Sequence, residues 1–126
     1  MSFSTNGSVV IADSTPADVT YSEVQNTGTS CTYSDRSREI GEPRKLIISH
    51  QTSGSGDDLK VRSLCKLTNA IENPSLEGDV VEHGIHIVFD TPQRVIAKAD
   101  ITDVLTQMIN LVSDSSFVDK ITNQEV

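Results

Sequence analysis

The chain has 126 residues, and because 18 are Asp or Glu and only 10 are Lys or Arg, its net charge is −8. This length is enough for one domain with a hydrophobic core and too short for two. The excess of acid argues against a protein that covers nucleic acid non-specifically through overall positive charge. We expect neither a bilayer-spanning segment nor a signal peptide.

Short β-strands are predicted for the first part of the chain. Residues 9–12 and 19–24 are rich in β-branched residues, and the segment 13–18 between them consists largely of turn formers. Residues 29–33 predict a third strand, and a charged loop over 34–43 follows it. The sequence thus predicts an N-terminal hairpin that leads into a sheet.

The next two predicted strands, 45–51 and 60–66, are joined by the segment 53–58. Side chains alternate between the two sides of a strand, so one side of this hairpin is apolar and the other is polar. The polar side carries Lys45, Ser49, Gln51, Lys60, Arg62 and Lys66. The hairpin therefore gathers positive charge on one face of the predicted sheet.

The register of this hairpin can be predicted if both apolar sides face the same core. Thr52 then pairs with Leu59, which places Lys45 opposite Lys66. The same register gives the pairs Ser49 with Arg62 and Gln51 with Lys60. Like charges directly opposite each other are unfavourable without a counter-charge, which a polyanion would supply.

Charge is distributed unevenly along the chain. Residues 44–68 contain five Lys or Arg and two Asp, a net charge of +3, which leaves −11 for the remainder. One positive face on an otherwise acidic molecule has a directional field that orients an anionic partner. The alternative is an ordinary solvated surface that carries Lys and Arg.

The C-terminal half predicts a loop, a long strand and two helices. Residues 69–79 are typical of a flexible loop, and residues 80–90 form the strand. Asp100 is the expected N-cap of the first helix. The apolar stripe of this helix consists of Ile101, Val104, Leu105, Met108, Ile109 and Val112. An interruption at 113–115 precedes a second, short helix with Phe117, Val118 and Ile121.

This order of elements predicts an α+β fold in which an antiparallel sheet is followed by a helical hairpin. A helix with its side chains is about 10 Å wide and covers about two strands at their spacing of roughly 4.8 Å. The helices are therefore too few to cover the apolar face of the sheet. A second copy of the chain in a two-fold dimer would supply the missing cover.

No arrangement of residues predicts catalysis, a cofactor or a metal site. His83 and His86 would face opposite ways in a strand, and so would Ser49 and His50. The glycine-containing segment 54–56 is not followed by the Lys and the Ser or Thr of a phosphate loop. An enzyme with an unrecognised site is the least favoured alternative.

The two cysteines, Cys31 and Cys65, lie in strand-like contexts without the spacing of metal ligands. Two buried thiols in a reducing compartment are the favoured interpretation. A disulfide between them is the alternative, and spacing does not decide between the two.

The segment 44–52, followed by a strand with alternating bases, a loop, a long strand and two helices, resembles the coat proteins of single-stranded RNA bacteriophages. The order of elements matches over nearly the whole chain, and the residue-level likeness is confined to 43–68 and 84–123. The resemblance implies a five-stranded antiparallel sheet that joins its mate in an interlocked dimer with a ten-stranded sheet. It implies one domain over 1–126, with an N-terminal hairpin over 1–27, a main sheet over 28–91 with a loop at 69–79, and helices over 99–124.

The resemblance also implies a structural protein rather than an enzyme. Its dimers would assemble in the host bacterial cytoplasm into an icosahedral shell, and the virion would be its final location. The inner sheet face would bind the viral single-stranded RNA, including an operator hairpin through which translation is repressed. On this chain that face would carry Lys45, Ser49, Gln51, Lys60, Arg62, Lys66 and His86.

The expected chemistry of that face is phosphate neutralisation by Lys and Arg and hydrogen bonding of unpaired bases by Ser49, Gln51 and His86. Ile47 and Leu64 are apolar residues on the same face, and Glu82 is expected to share it. The rival interpretation is a small dimeric α+β module that binds a protein or a small ligand on its open sheet face.

Overall fold

Seven β-strands form one antiparallel sheet, and two α-helices follow it, in a computed structural model that describes residues 2–3, 7–92 and 97–125. The elements are β1 (Ser2–Phe3), β2 (Ser8–Ala12), β3 (Asp18–Asn26), β4 (Ser30–Asp35), β5 (Arg44–Ser53), a 3-10 turn (Gly56–Asp58), β6 (Lys60–Glu72), β7 (Val80–Pro92), α1 (Lys98–Val112) and α2 (Ser115–Thr122). Each strand pairs with the next strand along the chain. No helix in the described part of the chain is long and apolar enough to cross a membrane.

The predicted fold, an antiparallel sheet followed by two C-terminal helices, is confirmed. The N-terminal hairpin β2–β3 is not set apart from the main sheet, because Ser22 of β3 pairs with Ser34 of β4. Hairpin and main sheet therefore form one continuous sheet. Residues 1 and 4–6 of the predicted hairpin lie outside the described residues.

The loop between β6 and β7 is shorter than the sequence predicted. Residues 69–72 continue β6, because Ile71 pairs with Val81 of β7 and the N–H of Ala70 donates to the carbonyl oxygen of Pro43 at 2.9 Å. The connection covers residues 73–79, and the N–H of Asn73 donates to the carbonyl oxygen of Asp79 across its base at 2.7 Å.

The first helix begins three residues earlier than an N-cap at Asp100 predicts. Ala97 is the N-cap of α1, with an extended backbone and no side-chain cap, so the predicted N-cap role of Asp100 is wrong. Asp100 lies inside the first turn, where its negative charge still suits the helix dipole. The predicted interruption is confirmed, because Asp114 caps α2 by accepting hydrogen bonds from the N–H groups of Ser116 and Phe117. The side-chain bond from Ser116, together with these N–H groups, lowers the pKa of Asp114.

The hydrophobic core lies on one face of the sheet, which we call the apolar face. Val9, Tyr21 and Leu46 are buried there, on strands β2, β3 and β5. The partly buried residues packed against them are Ile11, Val19, Tyr33, Ile48 and Cys65. Residues paired across neighbouring strands share a face, so the β7 residues Ile85 and Ile87 extend the apolar face to the edge of the sheet.

The chain's own helices leave much of the apolar face uncovered. Helix α1 approaches the sheet at β7, where an apolar cavity of about 290 Å³ lies between them. Ile85 is 72% exposed, and on the helices Val104 is 65% and Ile121 is 61% exposed. The shortage of helical cover predicted from the sequence is therefore present in the structure.

The two cysteines lie on the apolar face on either side of Ile48, which pairs with Cys31 of β4 and with Cys65 of β6. Two strand spacings put their Cα atoms about 10 Å apart. A disulfide needs a Cα separation below about 7 Å, so the alternative of a bridge within one chain is wrong. Burial raises the pKa of the Cys65 thiol.

Candidate nucleic-acid interface

The structure brings all seven predicted binding residues together on the side of the sheet opposite the core, which we call the polar face. On three adjacent strands, β5, β6 and β7, the polar face carries Lys45, Ile47, Ser49, Gln51, Lys60, Arg62, Leu64, Lys66, Glu82, His86, Val88 and Asp90. These residues share one side because each is opposite another of the set or alternates with one along its strand.

The predicted register between β5 and β6 is wrong by two residues. Thr52 pairs with Val61 rather than with Leu59, and Lys45 lies opposite Thr68. The observed pairs on the polar face are Ile47 with Lys66, Ser49 with Leu64, Gln51 with Arg62 and Ser53 with Lys60. A shift of two keeps every side chain on its face, so the face was assigned correctly although the partners were not.

The turn between these strands explains the shift. Ser53 and Lys60 are the last pair, which leaves a six-residue connection containing the 3-10 turn Gly56–Asp58. Gly54 has a φ of +82°, and a Cβ there would clash with the carbonyl oxygen of Asp58. The turn therefore needs glycine at this position. No two Lys or Arg residues oppose each other between β5 and β6, so the argument from like-charge pairs does not hold.

Arg62 has an acidic partner on the polar face. Its Nε lies 3.5 Å from Oδ1 of Asp90, the residue directly opposite it on β7. Both side chains are about 60% exposed (59% and 61%), so the ion pair is solvated and weak. Asp90 was not singled out from the sequence, and only the β6–β7 register identifies it.

Lys66 has a different environment from Arg62. It lies between Ile47 of β5 and His86 of β7, and neither neighbour is an acid. Glu82 shares the polar face as predicted, but it lies opposite Ala70, near the start of β7. The basic character of the face is therefore strongest around Lys66, and acids flank it along β7.

A shallow cavity of about 240 Å³ opens on the polar face between β5, β6 and β7. Its lining consists of Ser49, Gln51, Arg62, Leu64 and Val88. Leu64 and Val88 supply aliphatic surface, and the other three side chains supply hydrogen-bonding groups. Such a site can hold a flat ring against the aliphatic side chains while the polar groups bind its edge, which is what an unpaired base requires.

The other sequence candidates do not form a site. His83 and His86 face opposite sides of β7, because His83 pairs with Asn69 and His86 with Lys66. Nδ1 of His50 lies 2.8 Å from Oγ of Ser63, but this pair is on the apolar face and exposed. It is opposite Phe89 rather than a carboxylate that could orient the ring.

Comparisons with known proteins place this geometry in a known fold. No family model matches the chain, and no curated protein sequence matches it. A virus-like particle of bacteriophage GQ-907 is 14% identical over 99% of this chain and 96% of its own, with a TM-score of 0.73. The bacteriophage GA protein capsid is 17% identical over 98% of both chains, with a TM-score of 0.64. The chain has the fold of RNA-bacteriophage coat proteins.

A third similar structure is a dimer of coat-protein chains. It is an unassembled virus coat protein dimer described as a bacteriophage RNA-binding dimer, 18% identical over 98% of both chains, with a TM-score of 0.68. All three coat-protein structures match over nearly the whole of both chains, so the likeness includes the sheet and both helices. Because these neighbours are capsid proteins, the likeness does not favour the enzyme alternative.

Proposed function

We propose that this chain is a viral coat protein that pairs with a second copy and assembles into an icosahedral shell around single-stranded RNA. The observation that supports it most is the coat-protein fold itself, shared over nearly full length with chains that form particles and capsids. The open apolar face fits pairing with a second copy, and the polar face on the other side of the sheet fits binding to RNA.

The free edge of the sheet and its helices support the dimer. β7 is thirteen residues long and pairs only with β6 in the described part of the chain, so its outer edge is open. A long unprotected edge is a template for pairing with another chain. If two β7 edges pair antiparallel about a two-fold axis, the two sheets join into one, in which β3–β7 of each copy supply the ten strands that the coat-protein resemblance implies. The helices of each copy then cover the apolar face of the other.

The polar face supports RNA binding. Lys45, Lys60 and Lys66 would neutralise phosphates, with Arg62 as a fourth cation partly offset by Asp90. Ser49, Gln51 and His86 would bind unpaired bases, two of them from the rim of the cavity described above. A two-fold axis through the β7 edges doubles this surface into one continuous face on the inside of the shell.

The finer parts of the proposal follow from the same dimer. The single domain would extend over 1–126, with the loop after β6 placed where dimers meet around the symmetry axes of the shell. An RNA hairpin bound across the doubled polar face would serve as operator and packaging signal. The protein would reside in the virion, after assembly in the host bacterial cytoplasm.

Electron microscopy of the expressed chain tests the proposal. We expect closed particles that contain RNA, and RNA added to dissociated dimers should restore them. A matched pair of variants tests the interface. Ile85→Lys places a charge on the apolar face and should abolish dimers and particles. Ile40→Lys makes the same change at a fully exposed loop residue and should not. Dimers that never form shells, with or without RNA, would contradict the coat function and favour the binding-module interpretation.

A further inference from the structure

Two neighbouring rows of paired residues surround the cavity of about 240 Å³ on the polar face. The Leu64 row consists of Ser49, Leu64 and Val88, and the Arg62 row consists of Gln51, Arg62 and Asp90. The rows are two residues apart along each strand, or about 7 Å. Every one of these residues except Asp90 lines the cavity. The Leu64 row thus offers aliphatic surface, and the Arg62 row offers polar groups beside it.

The ion pair in the Arg62 row changes what this arginine can bind. Nε of Arg62 is 3.5 Å from Oδ1 of Asp90, so the positive charge is partly offset where it lies. A phosphate that approaches the guanidinium also approaches the carboxylate, and attraction and repulsion oppose each other. A neutral ligand with hydrogen-bond acceptors is not repelled in this way. The pair therefore favours a base over a phosphate at this point of the polar face.

The guanidinium of Arg62 keeps hydrogen-bond donors for such a ligand. An arginine side chain has five N–H donors in a planar arrangement, and the nitrogen that lies against Asp90 is Nε. The two terminal Nη groups remain for a ligand. The side chains of Ser49 and Gln51 make no hydrogen bond within the described part of the chain, so they too are available at the cavity.

Two lysines flank the cavity along β6. On the polar side of this strand the residues follow in the order Lys60, Arg62, Leu64 and Lys66. Neither lysine lies directly opposite an acid on β5 or β7. The lysines can therefore neutralise the phosphates on either side of a bound nucleotide. Its base is then left to the residues between them, where sequence is read.

We infer that this cavity selects an unpaired guanine, whose O6 and N7 accept hydrogen bonds from the Nη groups of Arg62 while its rings lie on Leu64 and Val88. Guanine has two adjacent acceptors on that edge, which match the two terminal donors of arginine. Adenine has an amino group beside N7 and would turn a donor toward the guanidinium. Uracil and cytosine have a single ring and cover less of the aliphatic surface. This inference rests on the proposed RNA binding and names the base that the polar face selects.

Fluorescence anisotropy with the full chain, as dimers dissociated from particles, tests the choice of base. The ligands are short labelled oligouridines that are either unchanged or carry a single guanine, adenine or cytosine. The guanine oligonucleotide should bind about tenfold more tightly than the other three, because a bidentate arginine contact typically discriminates between bases by about this factor. An equal or higher affinity for the adenine or the cytosine oligonucleotide would overturn the inference.

Two guanine analogues test which edge of the base is bound, and they use the unaltered protein. Hypoxanthine lacks the amino group of guanine but keeps O6 and N7, so it should retain the preference. Deazaguanine with carbon in place of N7 should lose most of it. Retention with this deazaguanine, or loss with hypoxanthine, would contradict the assignment of the O6 and N7 edge to Arg62.

A matched pair of variants tests the arginine itself. Arg62→Lys keeps the positive charge but replaces the two terminal donor groups by one ammonium group. It should bind unchanged oligouridine within a factor of about two of wild type, because lysine also binds phosphate, and it should lose the preference for guanine. Arg36→Lys, the same change at an exposed turn residue, should keep both properties.

The outcomes separate the guanine site from the proposed function. A preference for guanine that survives Arg62→Lys would overturn the site, and so would wild-type dimers that bind all four oligonucleotides equally. Neither result would affect the coat function. Wild-type dimers that bind none of the oligonucleotides at low salt would instead contradict the proposed RNA binding.

Discussion

Arg62 and Asp90 face each other across β6 and β7, with the guanidinium Nε 3.5 Å from the carboxylate. The charge of Arg62 on the polar face is thus partly neutralised by an acid on the next strand. A phosphate that binds Arg62 must compete with Asp90 and approach its negative charge. If the polar face binds RNA as proposed, Asp90 should limit non-specific binding, in a way that the count of Lys and Arg does not show.

The first prediction is that Asp90→Asn tightens RNA binding. Removing the carboxylate frees Arg62 and ends the repulsion of phosphate, so affinity for an unstructured RNA such as poly(U) should rise several-fold. The slope of log affinity against log salt should steepen by about one ion. Filter binding at several salt concentrations measures both quantities. Asp58→Asn, in the turn Gly56–Asp58 outside the polar face, should leave both unchanged.

The second prediction concerns the cations themselves. Lys60→Ala combined with Arg62→Ala should weaken RNA binding and flatten the salt slope, because two phosphate contacts disappear. The same titration on Arg36→Ala with Lys120→Ala, which removes two charges off the polar face, is the control. An unchanged slope in the first double variant would refute the assignment of the polar face to RNA.

The β5–β6 hairpin shows why sequence reasoning found the face and missed its partners. Alternation along a strand has a period of two, so Lys45, Lys60 and Lys66 could be assigned to one side without knowing the register. The register depends on the turn, and six residues with a left-handed Gly54 close it differently from the predicted pairing of Thr52 with Leu59. The Arg62–Asp90 pair depends on a second register, and no local pattern around Asp90 indicates it.

The helices likewise show that a repeating pattern can be predicted from sequence while the exact boundary of an element cannot. The apolar stripe from Ile101 to Val112 and the break before α2 were predictable, because both are repeated or strongly punctuated signals. The start of α1 was not, because Ala97 caps it by backbone conformation alone while Asp100 offered a better cap by type.

The third prediction tests a close approach between strands. Gly84 lies opposite Thr68, and a Cβ at Gly84 would come within 2.8 Å of the carbonyl oxygen of Leu67 and 3.0 Å of Cγ2 of Thr68. Gly84→Ala should therefore push β6 and β7 apart and lower the free energy of unfolding by about 1–3 kcal/mol. Urea unfolding monitored by circular dichroism measures it.

The matched control for this change is Gly41→Ala. A Cβ at Gly41 would meet nothing within 4 Å, so that substitution should change the free energy of unfolding by less than about 0.5 kcal/mol. Equal effects at the two glycines would mean that the sheet relaxes around residue 84 without cost. In that case the interstrand contact would not constrain β7.

The fourth prediction concerns Arg38, which ties the loop after β4 to the end of β6. Its guanidinium donates to the carbonyl oxygen of Glu42 at 3.1 Å, to Oδ1 of Asn69 at 3.0 Å and to the carbonyl oxygen of Ala70 at 3.0 Å. Arg38→Ala leaves these acceptors without their donor and should destabilise the chain by about 1–3 kcal/mol in urea unfolding.

Arg38→Lys separates geometry from charge. A single ammonium group cannot reach three acceptors that a planar guanidinium serves together, so Lys should recover only a small part of the loss. Arg36→Ala, two residues away and exposed, is the control and should be close to neutral. Full recovery with Lys would mean that the positive charge of Arg38, rather than its three directed hydrogen bonds, holds the loop against β6.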